Sequence, residues 1–245
     1  MRRCVVGMVA LLIGMSAAAT ASAGLMVAGH ESLEGQFALS LSGGIVKPNG
    51  QLGGEPDWNT TSPGSGLALR YGWNGSADAA FYATSFLAVS LWYGQSDLRM
   101  RDQALPTASG MQTFHALARG RTSFTGVHVK AFLPSERSWT PYAFVGVAHW
   151  VRRMDLSPQI SLVSPALEGS QVKDDCVGYD GGVGFEQPLT RCLGITACGR
   201  YFYSGEFKHD LQWMGHDMAV HSWDFWSVDV GLTWHAPMRP VTSVQ

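Results

Sequence analysis

The chain has 245 residues, of which 46% are hydrophobic and only 15% charged, and it contains 29 glycines and nine tryptophans. This balance is unusual for a soluble domain and suits a thin-walled β-barrel in which about half of each strand faces lipid. The formal net charge is −2; without the two arginines of a predicted leader, 15 basic residues remain against 19 acidic ones, a charge of −4. The sequence has no basic patch, so nucleic acid is not an expected partner.

The N-terminus has the three parts of a secretory signal peptide. Two arginines supply the positive charge, residues 5–15 are apolar, and residues 21–23 read A-S-A, a cleavage site. We therefore predict a cleaved signal peptide over residues 1–23 and a short N-terminal segment over residues 24–34. An uncleaved anchor is the alternative, but the apolar run is short for a spanning helix. The chain has no other stretch of about 18 apolar residues, so a membrane assignment must rest on strands.

Apolar residues alternate with small or polar ones in eight segments, which is the pattern of half-buried β-strands. In the last segment an apolar row bracketed by tryptophans opposes a small and polar row, as expected for lipid on one side and a polar lumen on the other. That apolar row consists of Trp226, Val228, Val230, Leu232 and Trp234. In the fifth segment Tyr142, Phe144 and Trp150 oppose valines, so its two faces are hard to tell apart. The segments span about residues 36–43, 66–73, 80–94, 123–133, 142–152, 177–186, 193–203 and 222–235.

The connections alternate in length. We predict short turns after the second, fourth and sixth strands, the first of them at Asn74-Gly75, a dipeptide typical of tight hairpins. The connections after the odd-numbered strands are long and polar and cover residues 47–63, 95–121, 154–175 and 204–221. Short periplasmic turns and long outer loops are the pattern of an outer-membrane barrel. The predicted fold is all-β, an eight-stranded antiparallel up-and-down transmembrane β-barrel over residues 35–236, with a C-terminal tail at 237–245.

Aromatic residues fall near both predicted ends of the strands, as two interfacial girdles require. The periplasmic set comprises Trp73, Trp139, Tyr142, Phe185 and Trp234, and the outer set comprises Trp92, Tyr93, Trp150, Tyr203 and Trp226. The alternative is a soluble β-sandwich with these rings in its core.

Four motifs resemble the OmpA-like and opacity-type small outer-membrane barrels. Residues 140–147, TPYAFVGV, resemble the T-P-Y-x-x-x-G-x strand of that family, and residues 178–186 resemble the G-x-x-x-G-x-G-x-E strand that follows it. Residues 193–203 are similar to the next strand, and D-x-G-x-x-W at residues 229–234 resembles the C-terminal insertion signal, although the chain continues ten residues past the strand. The resemblance implies the fold and the membrane. Because the family contains structural proteins, adhesins and lipid-modifying enzymes, it does not select an activity.

Charged residues on the predicted inner face must pair, because an eight-stranded barrel has room only for side chains and an unpaired buried charge is costly. We predict a plugging network of ion pairs and hydrogen bonds; a gated proton or solute path is the alternative. The predicted lumen residues are Arg70, His128, Lys130, Asp180, Glu186, Arg200, Asp229 and His235.

The last outer loop carries His209, His216 and His221, and the first two are each followed by an aspartate. These are weak zinc candidates, because their spacing matches no metal motif, and no cofactor is expected. His221 also precedes Ser222, which invites comparison with lipid A deacylase barrels. Adjacent strand residues point to opposite faces, however, so this base and nucleophile would not meet.

Three cysteines remain after removal of the leader, Cys176, Cys192 and Cys198. The second and third are about 20 Å apart along one predicted strand, too far for a disulfide, and the first and third are out of register on neighbouring strands. No disulfide framework is expected.

We therefore expect a structural or surface-interaction protein of the bacterial outer membrane, rather than an enzyme, that exposes four long loops. The alternatives are a lipid A-modifying enzyme and a narrow channel for small apolar solutes. The expected partners are outer-membrane lipid, the barrel-insertion machinery and an extracellular ligand held by the loops, and the expected state is a monomer.

Overall fold

The computed structural model describes twelve β-strands. Their bounds are β1 Phe37–Pro48, β2 Gly72–Tyr82, β3 Leu87–Arg99, β4 Gln103–Thr107, β5 Gly110–Phe114, β6 Ala118–Phe132, β7 Thr140–Leu156, β8 Gln171–Pro188, β9 Leu193–Ser204, β10 Phe207–Trp213, β11 His216–Val220 and β12 Phe225–His235. The residues described are 34–49, 70–99, 103–107, 110–114, 118–133, 139–157, 171–190, 192–204, 207–213, 216–220 and 223–236. Among them no helix has the length and apolar character needed to span a membrane. The predicted signal peptide and C-terminal tail lie outside them.

Eight of the strands form a closed antiparallel barrel in the order β1-β12-β9-β8-β7-β6-β3-β2. The last strand closes on the first over eleven residue pairs, from Ala38 opposite His235 to Pro48 opposite Phe225. The start of β1, the end of β12 and the three short connections lie at one end of the barrel, which we call the turn end; the other is the loop end. Two loop-end connections contain hairpins, β4–β5 and β10–β11. The predicted eight-stranded up-and-down barrel is confirmed.

The second strand was placed wrongly by the sequence. Asn74 and Gly75 lie within β2, paired with Gly44 and Gly43, and the turn follows eight residues later at residues 83–86. There the Thr84 hydroxyl accepts hydrogen bonds from two backbone N–H groups of the turn. An Asn-Gly pair favours a hairpin locally, but here cross-strand pairing with two glycines keeps the backbone extended.

Large hydrophobic side chains point outward around the whole barrel. Leu41, Leu91, Val183 and Val228 are each exposed by about two thirds. The interior row of the same strands is small, polar or aromatic, and buried. Since a water-soluble sandwich would bury the first row and expose the second, that alternative is wrong.

Candidate functional site

The centre of the barrel holds a network of charged side chains from four strands, joined by the hydroxyl of Ser90 from β3. His128 Nε2 of β6 donates to Asp180 Oδ2 of β8 at 2.8 Å, and both side chains are fully buried. Asp78 on β2 accepts from Lys130 Nζ at 2.7 Å and from the Ser90 hydroxyl at 2.8 Å. The two carboxylates thus lie on either side of the imidazole, since its Nδ1 is 3.6 Å from Asp78 Oδ2. The network bridges the lumen from one wall to the other.

Arg200 of β9 completes the charge balance of this layer. Its Nε is 3.7 Å from Asp180 Oδ2, and its guanidinium carbon is 4.9 Å from the ring centroids of both Trp92 and Phe144. Trp92 also stacks on His128, with centroids 4.6 Å apart. The faces of aromatic rings stabilise a desolvated cation. Trp92 and Phe144 therefore make cation–π contacts with the guanidinium in addition to its contact with Asp180.

A polar cavity of about 40 Å³ lies between this layer and the turn end. That volume is enough for two or three water molecules. Arg200 and Asp229 both line it, and Asp229 accepts from the Ser227 hydroxyl at 2.8 Å and from the Cys198 thiol at 3.9 Å. At the bottom, Tyr142 bonds to the Thr196 hydroxyl at 2.9 Å. The other lining residues are Ala38, Ser40, Ser42, Ser76, Asp78, Ala80, Tyr82, Lys130, Phe132, Glu186 and Thr233.

The cavity is closed below by paired groups. His235 Nε2 hydrogen-bonds to Glu186 Oε1, which ties the last barrel strand to β8 at the turn end. Tyr82 packs beside this pair, with its ring centroid 5.8 Å from the imidazole, and 5.3 Å from Phe132. Aromatic rings and this hydrogen-bonded pair therefore occupy the cross-section at this level.

A cluster of aromatic rings, which we call the aromatic plug, fills the lumen towards the loop end. Phe202 stacks on Phe225 at 4.5 Å and on Phe124 at 5.0 Å, and Trp150 meets Phe124 edge-on at 4.9 Å. The plug consists of Trp92, Phe124, Trp150, Phe202, Trp223 and Phe225, each at most 3% exposed.

Polar groups fix the upper side of the aromatic plug. Trp223 Nε1 donates to the Thr122 hydroxyl at 3.0 Å, and the Arg152 guanidinium bonds to the Ser204 hydroxyl at 3.0 Å and to Asp174. The fully buried Arg152 side chain is thus paired as well. These buried polar side chains cover the aromatic plug on its loop side.

Glycines on the inner face of β8 make room for the rings of β7. A Cβ at Gly178 would lie 2.3 Å from Trp150 Cε2, and one at Gly184 would lie 2.7 Å from the Tyr142 ring. A Cβ at Gly182 would similarly meet Phe144 at 2.8 Å. The glycine spacing that the sequence analysis identified as a family motif therefore has a packing role, because each glycine leaves the space that an aromatic ring of β7 occupies.

Seven of the eight predicted lumen residues point inward, and Arg70 does not. It is exposed and precedes β2, so its lumen assignment is wrong. The error follows from the misplaced turn, since the strand begins six residues and ends nine residues later than predicted. The same error hid Asp78, which belongs to the network; alternation along the correct β2 would have identified it. Arg152 was also missed, because the two faces of the fifth predicted strand could not be told apart, and Asp174 was missed because the sixth strand begins earlier than predicted.

Three predicted girdle residues, Trp92, Tyr142 and Trp150, are instead buried inside the barrel, at 3%, 8% and 0% exposure. Their girdle assignment is wrong because a period of two defines two faces without saying which is inner. Trp73 points outward but lies at the loop end, not at the predicted periplasmic end. The remaining members are Tyr93, Phe185, Tyr203, Trp226 and Trp234, which point outward and are exposed, and Trp139, half-buried with its ring 6.0 Å from that of Phe185.

The histidine candidates are spread over the last loop. His209 lies in β10 and His216 in β11, where side chains are outside the description, and His221 is outside the described residues. No group of three His, Cys, Asp or Glu side chains that could hold a metal occurs in the part of the chain that the structure describes. Cys176, Cys192 and Cys198 are free thiols.

Similar architecture is found in solved outer-membrane proteins. The chain superposes on OprG from Pseudomonas aeruginosa with a TM-score of 0.53 and 14% identity, covering 87% of this chain and 100% of that one. It superposes on a major outer membrane protein of Thermus thermophilus with a TM-score of 0.50 and 12% identity, covering 82% and 99%. No protein-family model and no curated protein matches the sequence. The chain has the transmembrane β-barrel fold of the small outer-membrane proteins, and at these identities the likeness extends to the fold alone.

Proposed function

We propose that this protein is an outer-membrane anchor that displays its loop end at the cell surface and acts through contacts made there. The observation that carries the proposal is the filled lumen. The lumen is crossed by the aromatic plug, whose rings are at most 3% exposed, and by the charged layer beneath it, next to a cavity of 40 Å³. A barrel built this way is a firm scaffold from which loops extend, and it has little capacity for transport.

The loop end supports the same proposal. Two of the four connections form hairpins of their own beyond the barrel. β6, β7 and β8 continue past the end of β9, pairing as far as Ala118 opposite Leu156 and Asp155 opposite Gln171. Strands that continue past the membrane give a surface loop a defined shape, as a recognition element requires.

An epitope tag inserted at residues 214–215, between β10 and β11, tests this placement. We expect antibody binding to intact cells, together with a shift in gel mobility on boiling of the outer-membrane fraction. A tag that is detected only after permeabilisation would mean that the loop end faces the periplasm. A periplasmic protein with no heat shift would overturn the membrane assignment.

The channel and enzyme alternatives are tested separately. We expect no sustained conductance when the folded protein is added to a planar bilayer, because the aromatic plug blocks the lumen; steady conductance would favour the channel. We expect the lipid A of a deletion strain to be chemically unchanged; an altered lipid A would favour the enzyme, with His209, His216 and His221 the first residues to substitute.

A further inference from the structure

One row of side chains on the inner wall of the barrel contains three buried oxygen atoms that have no hydrogen-bond partner among the described residues. Asp229 of β12 lies opposite Gly44 of β1 in register. Gly44 lies opposite Asn74 of β2, which in turn lies opposite Ser96 of β3. The three atoms are Asp229 Oδ1, Asn74 Oδ1 and Ser96 Oγ, and their residues are 1%, 6% and 3% exposed. We call these three side chains the oxygen row.

Glycine at position 44 leaves space in the middle of the oxygen row. A Cβ there would lie 2.5 Å from Asp229 Oδ1, so this carboxylate oxygen lies over the backbone of β1, where a side chain of residue 44 would otherwise be. In the next row towards the turn end, the hydroxyls of Ser42 and Ser76 hydrogen-bond to each other at 2.8 Å and line the same polar cavity as Asp229. A hydroxyl oxygen has two lone pairs, so this bond leaves both hydroxyls able to accept a further contact. Oxygen atoms from four strands thus surround one point of the lumen.

Asp229 differs from the other carboxylates of the lumen in its partners. The carboxylates that face a lysine, arginine or histidine there are Asp78, Asp180 and Glu186. Asp229 forms no ion pair among the described residues, and its Oδ2 accepts from two neutral donors, the Ser227 hydroxyl at 2.8 Å and the Cys198 thiol at 3.9 Å. A buried carboxylate without a counter-charge is costly, and neutral donors do not supply that charge.

Arg200 lines the same cavity but does not supply the counter-charge of Asp229. Its Nε is 3.7 Å from Asp180 Oδ2, and its guanidinium lies over the rings of Trp92 and Phe144. Asp180 and these two rings therefore hold the guanidinium in the charged layer. Among the described residues, no other basic side chain forms an ion pair with Asp229, so its counter-charge must be bound from solution.

We propose that the oxygen row binds a small monovalent cation of the sodium type. Carboxylate, amide and hydroxyl oxygens are hard ligands, which suit hard cations, and the site has no imidazole or thiolate of the kind that transition metals prefer. One carboxylate supplies one negative charge, so a monovalent ion gives a neutral site, whereas a divalent ion leaves an uncompensated positive charge in the lumen. The ion also gives Asn74 Oδ1 and Ser96 Oγ their missing partner.

The site joins the two ends of the barrel sequence. Asp229 belongs to the last strand, and the other ligands belong to β2 and β3, on the far side of the first strand. These ligands come together only when β12 has closed on β1, so the ion binds the folded barrel and not the unfolded chain. Sodium therefore stabilises the fold by mass action.

The test is urea unfolding of the protein in phosphatidylcholine vesicles while sodium chloride is replaced stepwise by choline chloride at constant ionic strength. Choline carries the same charge but is too large for a cavity of about 40 Å³. Above the dissociation constant for sodium, we expect the unfolding equilibrium constant to fall about tenfold for each tenfold rise in sodium concentration. The variant Asp229→Asn keeps the shape of the side chain but removes its charge, and it should lose this dependence. The matched control Asp175→Asn, at an exposed pair on the outer surface, should keep it.

A crystal structure of the wild type grown in a sodium salt provides the second readout. An ion at Asp229 Oδ1 should show contacts shorter than the roughly 2.7–3.2 Å of a hydrogen bond. Only water at this position, or Arg200 turned into direct contact with Asp229, would overturn the proposal, as would equal stability in sodium and choline or an unchanged sodium dependence in Asp229→Asn. If Asp229→Asn does not fold, the wild-type titration and the crystal structure decide. Ion binding in the lumen does not depend on which end of the barrel faces outward, so its failure leaves the proposed function in place.

Discussion

Replacing Gly178 with alanine should destabilise the barrel by forcing a methyl group into the aromatic plug. The new Cβ would stand 2.3 Å from Trp150 Cε2 and 2.4 Å from its Nε1, whereas carbon atoms in contact lie about 3.5–4.0 Å apart. The ring must therefore move by more than about 1 Å. It is held edge-on by Phe124 at 4.9 Å and by Phe202 at 5.9 Å, so little space is open to it.

Overpacking of this kind lowers the free energy of unfolding by about 1–3 kcal/mol. Because the Trp150 ring is confined, we expect a loss near the upper value. Gly199→Ala on the neighbouring strand is the matched control, because a Cβ there meets nothing within 4 Å. It should leave stability unchanged or raise it by about 0.5–1 kcal/mol, since glycine is unfavourable within a strand.

The assay is urea unfolding in phospholipid vesicles, followed by tryptophan fluorescence and by the mobility of unboiled protein. Trp150→Leu in the Gly178→Ala background should recover most of the loss, because the smaller side chain frees the space. If Gly178→Ala is as stable as Gly199→Ala, the plug is not tightly packed and does not seal the lumen.

Substitutions in the network, on the outer face and at the cysteines test other parts of the structure. Asp180→Asn should lower the free energy of unfolding by about 3–5 kcal/mol in the urea assay, because it leaves His128 and Arg200 without their buried anion. The control Asp175→Asn, at an exposed pair, should change it by less than about 1 kcal/mol. Similar losses in the two variants would contradict the network. Val230→Arg on the outer face should cost about 2–4 kcal/mol and reduce the heat-resistant band, and a neutral effect would mean that this face does not meet lipid. A maleimide should label Cys192, which lies beside a short turn, much faster than Cys198, because the cavity at Cys198 is too small for the reagent. After boiling, the two thiols should react at equal rates. Equal rates before boiling would show an open lumen.

Local pattern was enough to determine the class of fold. The period-two alternation in residues 222–235 and the alternation of short and long connections both arise within single strands and their neighbours, so they can be read without knowing any partner. The number of barrel strands and their antiparallel course followed from these features. For the lumen, the same pattern placed His128, Asp180 and Arg200 on inner faces.

Tertiary structure decided the register, the choice of face and the meeting of charges. Asn74-Gly75 is a turn by local preference and a strand by its pairing with β1, and the aromatic row of β7 is internal because β8 provides glycines opposite it. Asp78 and Lys130 meet across 52 residues of sequence, and Asp229, Asn74 and Ser96 share a row only through the register of four strands. The physical reason is the same in each case. In a closed barrel every strand pairs with two others, and the sequence of one strand does not determine which residues of its neighbours lie opposite it.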